Sequence, residues 1–282
     1  MSKTIACVGE LLWDILPAGR VLGGAPANVA YHLSRLGCDS RLITRVGADE
    51  RGEAAIEALS ERNMATAEIQ VDPKLPTGAA YVQLDGAHAR YEFETPAAWD
   101  AIEAPATGVD VIVFGTLAQR DARSAATIRQ LARDAALAFY DVNLRAPYTT
   151  FDLVLESLRL ATVVKVNEVE IAALASELRV PAEPPGFAAA IASRFPAKAI
   201  CVSLGAQGAG LWTSGQWIEL RAPHVVVADT IGAGDAFLAA LVEGILSTRS
   251  TESALARAIA LGSFVATRSG ATPDYEASDL NL

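Results

Sequence analysis

The sequence predicts a doubly wound α/β fold, a mostly parallel sheet covered by helices on both faces, with a small β lid. Short apolar runs alternate with helical patterns along the chain, as units that pair strands in parallel require. A hydrophobic fraction of 51% with 20% charged residues supplies a large core. The 282 residues contain no Pro/Ser/Gly-rich linker and no shift of composition between comparable halves, so a single domain over 1–282 is expected.

In chain order, strands are expected at Ile5–Val8, Arg41–Arg45, Val109–Phe114, Leu137–Asp141, Val163–Val166, Ala199–Leu204 and Ala209–Trp212, each a short apolar run. Val225–Ala228 reads as a further buried strand. Helical spacing marks Pro26–Leu36, Arg51–Arg62, Ala122–Ala136, Glu168–Glu177, Phe187–Arg194, Ala236–Leu246 and Ser253–Thr267. Pro26 suits a first helical turn and Gly37 the residue beyond a helix end. One stretch breaks the rhythm: Thr77–Glu94 alternates like a hairpin around Asp85-Gly86. Segments 11–22 and 77–98 could together form a flap, which would exclude water from a reactive donor; an ordinary edge hairpin is the alternative. Ligands of such sheets bind beyond the carboxyl ends of the strands, where Gly9, Asn143, Asn167, Gly205 and the Asp229 turn all fall.

The net charge of −10 argues against nucleic acid or an anionic membrane as partner, and makes a metal such as magnesium the expected companion of any phosphate ligand. Cys7, Cys38 and Cys201 are far apart, and His32, His88 and His224 add no cluster, so neither disulfides nor a structural zinc are expected. The N-terminus has no signal-peptide pattern and no uninterrupted apolar run reaches about 18 residues. A soluble protein of the reducing cytoplasm is the expectation.

The chemistry is concentrated in Asp229-Thr230-Ile231-Gly232-Ala233-Gly234-Asp235-Ala236. Gly232, Ala233 and Gly234 open a long apolar helix, where N–H groups lack intrahelical partners and the dipole favours an anion. A carboxylate directly after an anion hole is a poor choice for binding and a good one for proton transfer, so Asp235 reads as a general base. Helix capping by Asp229 and Asp235 is the plainer alternative. Neither a GxxxxGK[ST] loop nor a GxGxxG run occurs, which disfavours P-loop kinases and Rossmann dehydrogenases.

Together with Gly23-Gly24-Ala25-Pro26-Ala27-Asn28-Val29-Ala30, this motif resembles the two signatures of the ribokinase-like (PfkB) carbohydrate kinases. Between them, Arg45–Gly52, Asp141-Val142-Asn143-Leu144-Arg145, Asn167-Glu168-Val169-Glu170 and Ser203–Gly208 are similar to further family blocks in the family's order. The resemblance implies ATP as donor, magnesium, and transfer of the γ-phosphate to a primary sugar hydroxyl. It implies Asp235 as base, with Gly232, Ala233 and Gly234 as the anion hole. Asp14, Gly24 and Asn28 would hold sugar hydroxyls, and Arg145 would face phosphate or the far end of the substrate, a surface salt bridge being its alternative. Asn167 and Glu170 would position magnesium through water, or Glu170 would be only a helix-start acid. Thr230, Ser203, Gly205 and Gly208 would line the nucleotide site, and Asp229 is a candidate ligand of a monovalent cation such as potassium.

The Gly-Gly-Ala-Pro-Ala-Asn form is similar to fructokinases, and the lysine common in sugar-phosphate kinases of the family is missing, so fructose leads as acceptor. The Asp-x-Asn-x-Arg block is shared with 2-keto-3-deoxygluconate kinases, which makes that acid the runner-up, with Arg90 or Arg145 as carboxylate partner; a nucleoside is a further candidate. A sugar-binding regulatory homologue is the non-enzyme alternative, against which a retained base argues. The short span from Asp14 to Gly24 leaves the flap either small or completed by a second subunit in a homodimer.

Overall fold

The protein is described from a computed structural model covering residues 3–17, 19–85, 88–247, 249–276 and 280, with the backbone alone at 82–85 and 88–90. In chain order the elements are β1 (Ile5–Val8), β2 (Leu12–Leu16), β3 (Gly19–Gly23), α1 (Ala25–Arg35), β4 (Ser40–Gly47), α2 (Glu50–Glu61), β5 (Ile69–Asp72), β6 (Gly78–Asp85) and β7 (His88–Phe93). They continue with β8 (Val111–Gly115), α3 (Ala122–Asp134), β9 (Leu137–Asp141), α4 (Phe151–Leu158), β10 (Val163–Asn167), α5 (Glu168–Leu178), α6 (Pro184–Arg194) and β11 (Ala199–Ser203). The last are β12 (Ala209–Thr213), β13 (Gln216–Leu220), α7 (Ala233–Leu246) and α8 (Thr251–Ala266).

Among the described residues nine strands form one sheet in the order β13-β12-β11-β10-β9-β8-β1-β4-β5, parallel except for β12, which runs antiparallel to both neighbours. Both faces are buried, as continuous apolar strands require. In β1, Ile5 and Cys7 pack towards α1, α7 and α8, while Ala6 and Val8 pack on the side of α3, α5 and α6. From β1 the chain goes to β4 on one side and later to β8 on the other. That reversal opens a crevice beyond the ends of β1 and β8, the place where open α/β sheets take ligands.

The flap segments pair as a separate four-stranded sheet, β3-β2-β6-β7. Asp14 lies opposite Val21 on β3 and beside Ala80 on β6. The Asp85-Gly86 turn expected between β6 and β7 falls partly on residue 86, outside the described residues, as does the side chain of Arg90.

Two expectations need correction. Val225–Ala228 is no buried strand: it belongs to no helix or strand, with Val226 84% and Val227 55% exposed. The segment's backbone reaches the end of α8 in place of a strand partner, Ala228 N–H donating to the Ala266 carbonyl at 2.9 Å. Three elements went unpredicted, β5, β13 and α4, the last started by Thr150, whose hydroxyl caps Leu153 N–H.

Candidate active site

α7 begins where the glycine turn predicts. Gly232 is its N-cap with φ +74°, and an added Cβ would stand 2.5 Å from Ala271, so the position excludes larger residues on both counts. Of the three residues expected to offer N–H groups, Ala233 turns its own back to the Thr230 carbonyl at 3.3 Å, whereas the N–H groups of Gly232 and Gly234, and that of Asp235 after them, meet no acceptor among the described residues. Gly234 is exposed and open to a ligand.

Asp235 stands at the mouth of this turn, half-buried. Asn28 Nδ2 donates to its Oδ2 at 2.8 Å. That bond joins two motifs 207 residues apart, and α1 makes it by presenting Asn28 one turn after Gly24. Burial pushes the Asp235 carboxyl up to about 6, with Asp141 adding to the rise and Asn28, Lys165 and Arg145 opposing it. A carboxyl with that affinity is ionised at neutral pH, in the range that suits a general base.

Gly24, φ +113°, leaves no room for a Cβ against the Glu10 carbonyl, and Gly23 leaves none against the Asp14 carboxylate. These glycines therefore let α1 approach the end of β1 and the lid. Asp14 faces the crevice and burial lifts it to about 6, Arg145 pulling the other way. The Arg145 guanidinium lies 5.6 Å from the Tyr91 ring centroid, and its field also lowers Glu10 and Asp235. No ion pair to a surface acid is formed by Arg145 among the described residues; its Nη1 donates to the Leu144 carbonyl at 3.0 Å.

Glu170 and Asn167 form a reciprocal cap on α5. Asn167 Oδ1 accepts from Glu170 N–H and Glu170 Oε2 from Asn167 N–H, both at 2.9 Å, while Glu170 Oε1 takes Leu144 N–H at 2.9 Å. The helix-start role considered for Glu170 is thus real. Among the described residues no group of three or more His, Cys, Asp or Glu is placed to hold a metal.

Ser203 ends β11 beside Asn167 in register, and Gly205 follows exposed with φ +55°. Gly208 is buried, and its missing Cβ makes way for the chain's own backbone at Leu220 and Ala222. Asp229 bridges two loops: Oδ1 accepts Ile231 N–H at 3.0 Å and Oδ2 accepts Gly270 N–H at 3.1 Å. Thr230 is exposed beside it.

Three buried charged residues at the crevice were not assigned a role from sequence. Glu10, 4% exposed at the end of β1, is pushed up to about 7 chiefly by burial, and its Oε2 has no hydrogen-bond partner among the described residues. Lys165 and Asp141 are 6% and 4% exposed and pair at 3.0 Å. The signal for Lys165 was a lone lysine inside Val163-Val164-Lys165-Val166.

A sequence profile described as pfkB family carbohydrate kinase matches residues 18–278. An uncharacterized sugar kinase from Pyrococcus horikoshii is 32% identical over 279 residues, spanning 88% of this chain and 84% of the relative. Its crystal structure superposes with a TM-score of 0.85 over 98% of this chain and 96% of that one. A fructokinase of Klebsiella pneumoniae is 30% identical, covering 87% of this chain and 85% of its own length. The fructokinase of Xylella fastidiosa, solved with ATP, superposes with a TM-score of 0.83 at 25% identity over 96% of this chain and 94% of that one. The regulatory alternative is thereby set aside. The chain belongs to the pfkB family of carbohydrate kinases and is a phosphotransferase acting on a sugar.

Proposed function

We propose that the protein transfers the γ-phosphate of ATP to a primary hydroxyl of a free sugar, with fructose as the leading acceptor. The observation that carries this reading is Asp235, held by Asn28 at 2.8 Å beside the unpartnered N–H donors of the α7 turn. In this reading Asp235 takes the proton of the attacking hydroxyl as its oxygen closes on phosphorus, and Gly234 and Asp235 N–H bind the charge on the group in transit. Asp14, Gly24 and Asn28 orient the sugar; the amide oxygen of Asn28 remains free to accept while its nitrogen holds the base. The small sheet acts as a lid that keeps water from the donor.

Support for ATP comes from the X. fastidiosa fructokinase and from the P. horikoshii kinase, whose structure has also been solved with ATP. Ser203, Gly205 and Thr230 would then lie along the nucleotide. Magnesium, when bound, shields the phosphate charge, and its hydration shell suits water-mediated contact with Asn167 and Glu170. Asp229, with both oxygens already committed to the turn, would feel a potassium ion as a third partner. A cytoplasmic setting and a homodimer through β3, the edge strand of the small sheet, complete the reading.

Fructose rests on the Gly23–Asn28 form, on the absence of a lysine there, and on relatives named fructokinase. Arg145 favours a second reading: a guanidinium over Tyr91 in the crevice can meet a carboxylate, which suits 2-keto-3-deoxygluconate. A coupled ADP-release panel over fructose, ribose, 2-keto-3-deoxygluconate, fructose 6-phosphate and adenosine separates them. The highest kcat/KM should belong to fructose. A best rate with 2-keto-3-deoxygluconate and none with fructose refutes the assignment.

A further inference from the structure

In a strand whose inner face is otherwise apolar, Lys165 is an expensive residue. β10 points Val163 and Lys165 to the side covered by α7, and the parallel register sets Lys165 between Asp141 on β9 and Cys201 on β11, all three buried. Nζ lies 3.0 Å from Asp141 Oδ1 and 3.1 Å from Oδ2, so the pair is intimate. A buried ion pair of this kind is commonly replaceable by apolar side chains without loss of stability, so the demands of the core do not explain its presence.

Its position does. A Cβ built on Gly234 would find Lys165 Nζ at 3.5 Å and no other atom outside the turn within 4 Å. The ammonium therefore sits directly under the backbone whose N–H groups face the crevice, nearer to it than the Asp141 oxygens. Glu170 and Asp235 also lie within its field, and the three carboxylates together hold the ammonium charged against the penalty of burial. A helix start brings only about half a unit charge to an anion; a fixed cation behind it adds a full one in a place where water does not screen it.

We propose that Lys165 is a positioning residue of the phosphoryl-transfer site, a permanent cation beneath the Gly234 turn that strengthens the turn's hold on phosphate charge. The inference rests on the kinase reading only in that an anion crosses this turn. It does not depend on which sugar accepts the phosphate.

The test uses inorganic pyrophosphate as probe, without divalent metal or sugar, titrated calorimetrically into the purified full chain and into Lys165→Met, Asp141→Asn and the double variant. Lys165→Met should weaken pyrophosphate binding about tenfold or more, as loss of an electrostatic element of an anion hole does. Asp141→Asn, which leaves the lysine with less counter-charge, should bind at least as tightly as the parent. The double variant leaves neither charge buried alone, and so carries the test if Lys165→Met does not fold; it too should bind more weakly, because the lysine is the nearer group. Dissociation constants within twofold of the parent in the Lys165 variants would overturn the proposal. So would equal weakening in Asp141→Asn, the mark of a purely structural pair, or no saturable binding to the parent. Failure of the sugar reading would appear instead in the ADP-release panel and would leave the pyrophosphate constants unmoved.

Discussion

At the scale of single residues, the crevice is governed by carboxyl groups kept out of water. Burial lifts Asp235 and Asp14 to about 6 and Glu10 to about 7. A raised carboxyl favours the folded state below its ordinary value, and that contribution is lost as pH rises through the folded value, between about 6 and 7 for these three. Mild acid therefore stabilises the fold through them while it protonates Asp235, the proposed base. Accordingly, kcat/KM should fall below about pH 6, to roughly a tenth of its plateau at pH 5, with no matching drop in the thermal midpoint. A flat profile between pH 7 and 5 would contradict the role of Asp235. Asp235 and Asn28 were legible in the sequence because each sits in a glycine-marked motif. Glu10 and Lys165 were not: Glu10 is notable for its burial, with one oxygen lacking a hydrogen-bond partner among the described residues, and Asp141 reaches Lys165 only through the pairing of two strands.

At the scale of elements, the local signals worked where flanking residues punctuate them. β1 and β9 begin and end where the apolar runs do, and α1 has Pro26 in its first turn and Gly37, φ +79°, just past its end. They failed where tertiary context decides. Val225–Ala228 has the composition of a core strand, yet it pairs with no strand and bonds to α8 instead, and α4 spans only eight residues, with Val154, Ser157 and Leu158 buried. The α7 turn makes the strongest demand on sequence. Gly232→Ala meets both a left-handed φ and Ala271 at 2.5 Å, so it should cost about 2 kcal/mol or more in denaturant unfolding and lower kcat/KM as well. Gly37→Ala has a similar φ with nothing within 4 Å of the new methyl. It should cost only about 1 kcal/mol and leave kcat unchanged. Equal effects of the two substitutions would remove the close packing of Ala271 from the account.

At the scale of the whole molecule, one sheet edge collects the ends of β1, β9, β10 and β11 with the start of α7, while the four-stranded sheet contributes Asp14 from β2 and Gly23 from β3. The chain carries −10 overall, and Asp141, Glu170 and Asp235 face one lysine at the crevice, so a nucleotide phosphate meets net negative surroundings. A divalent cation should accordingly be indispensable: excess chelator should abolish ADP release and added magnesium restore it. Full rate in chelator would exclude the water-mediated role of Asn167 and Glu170. No helix among the described residues is long and apolar enough to cross a membrane. The central claim is that the carboxylate at the head of α7 moves the proton of the acceptor. It is tested most directly by single-turnover phosphorylation with Asp235→Asn, a substitution that keeps size and the hydrogen-bonding contact to Asn28. Sugar affinity and thermal midpoint should stay near those of the parent while the rate falls about 10²- to 10⁴-fold; a rate within a few fold of the parent would contradict the account and leave Asp235 a helix cap.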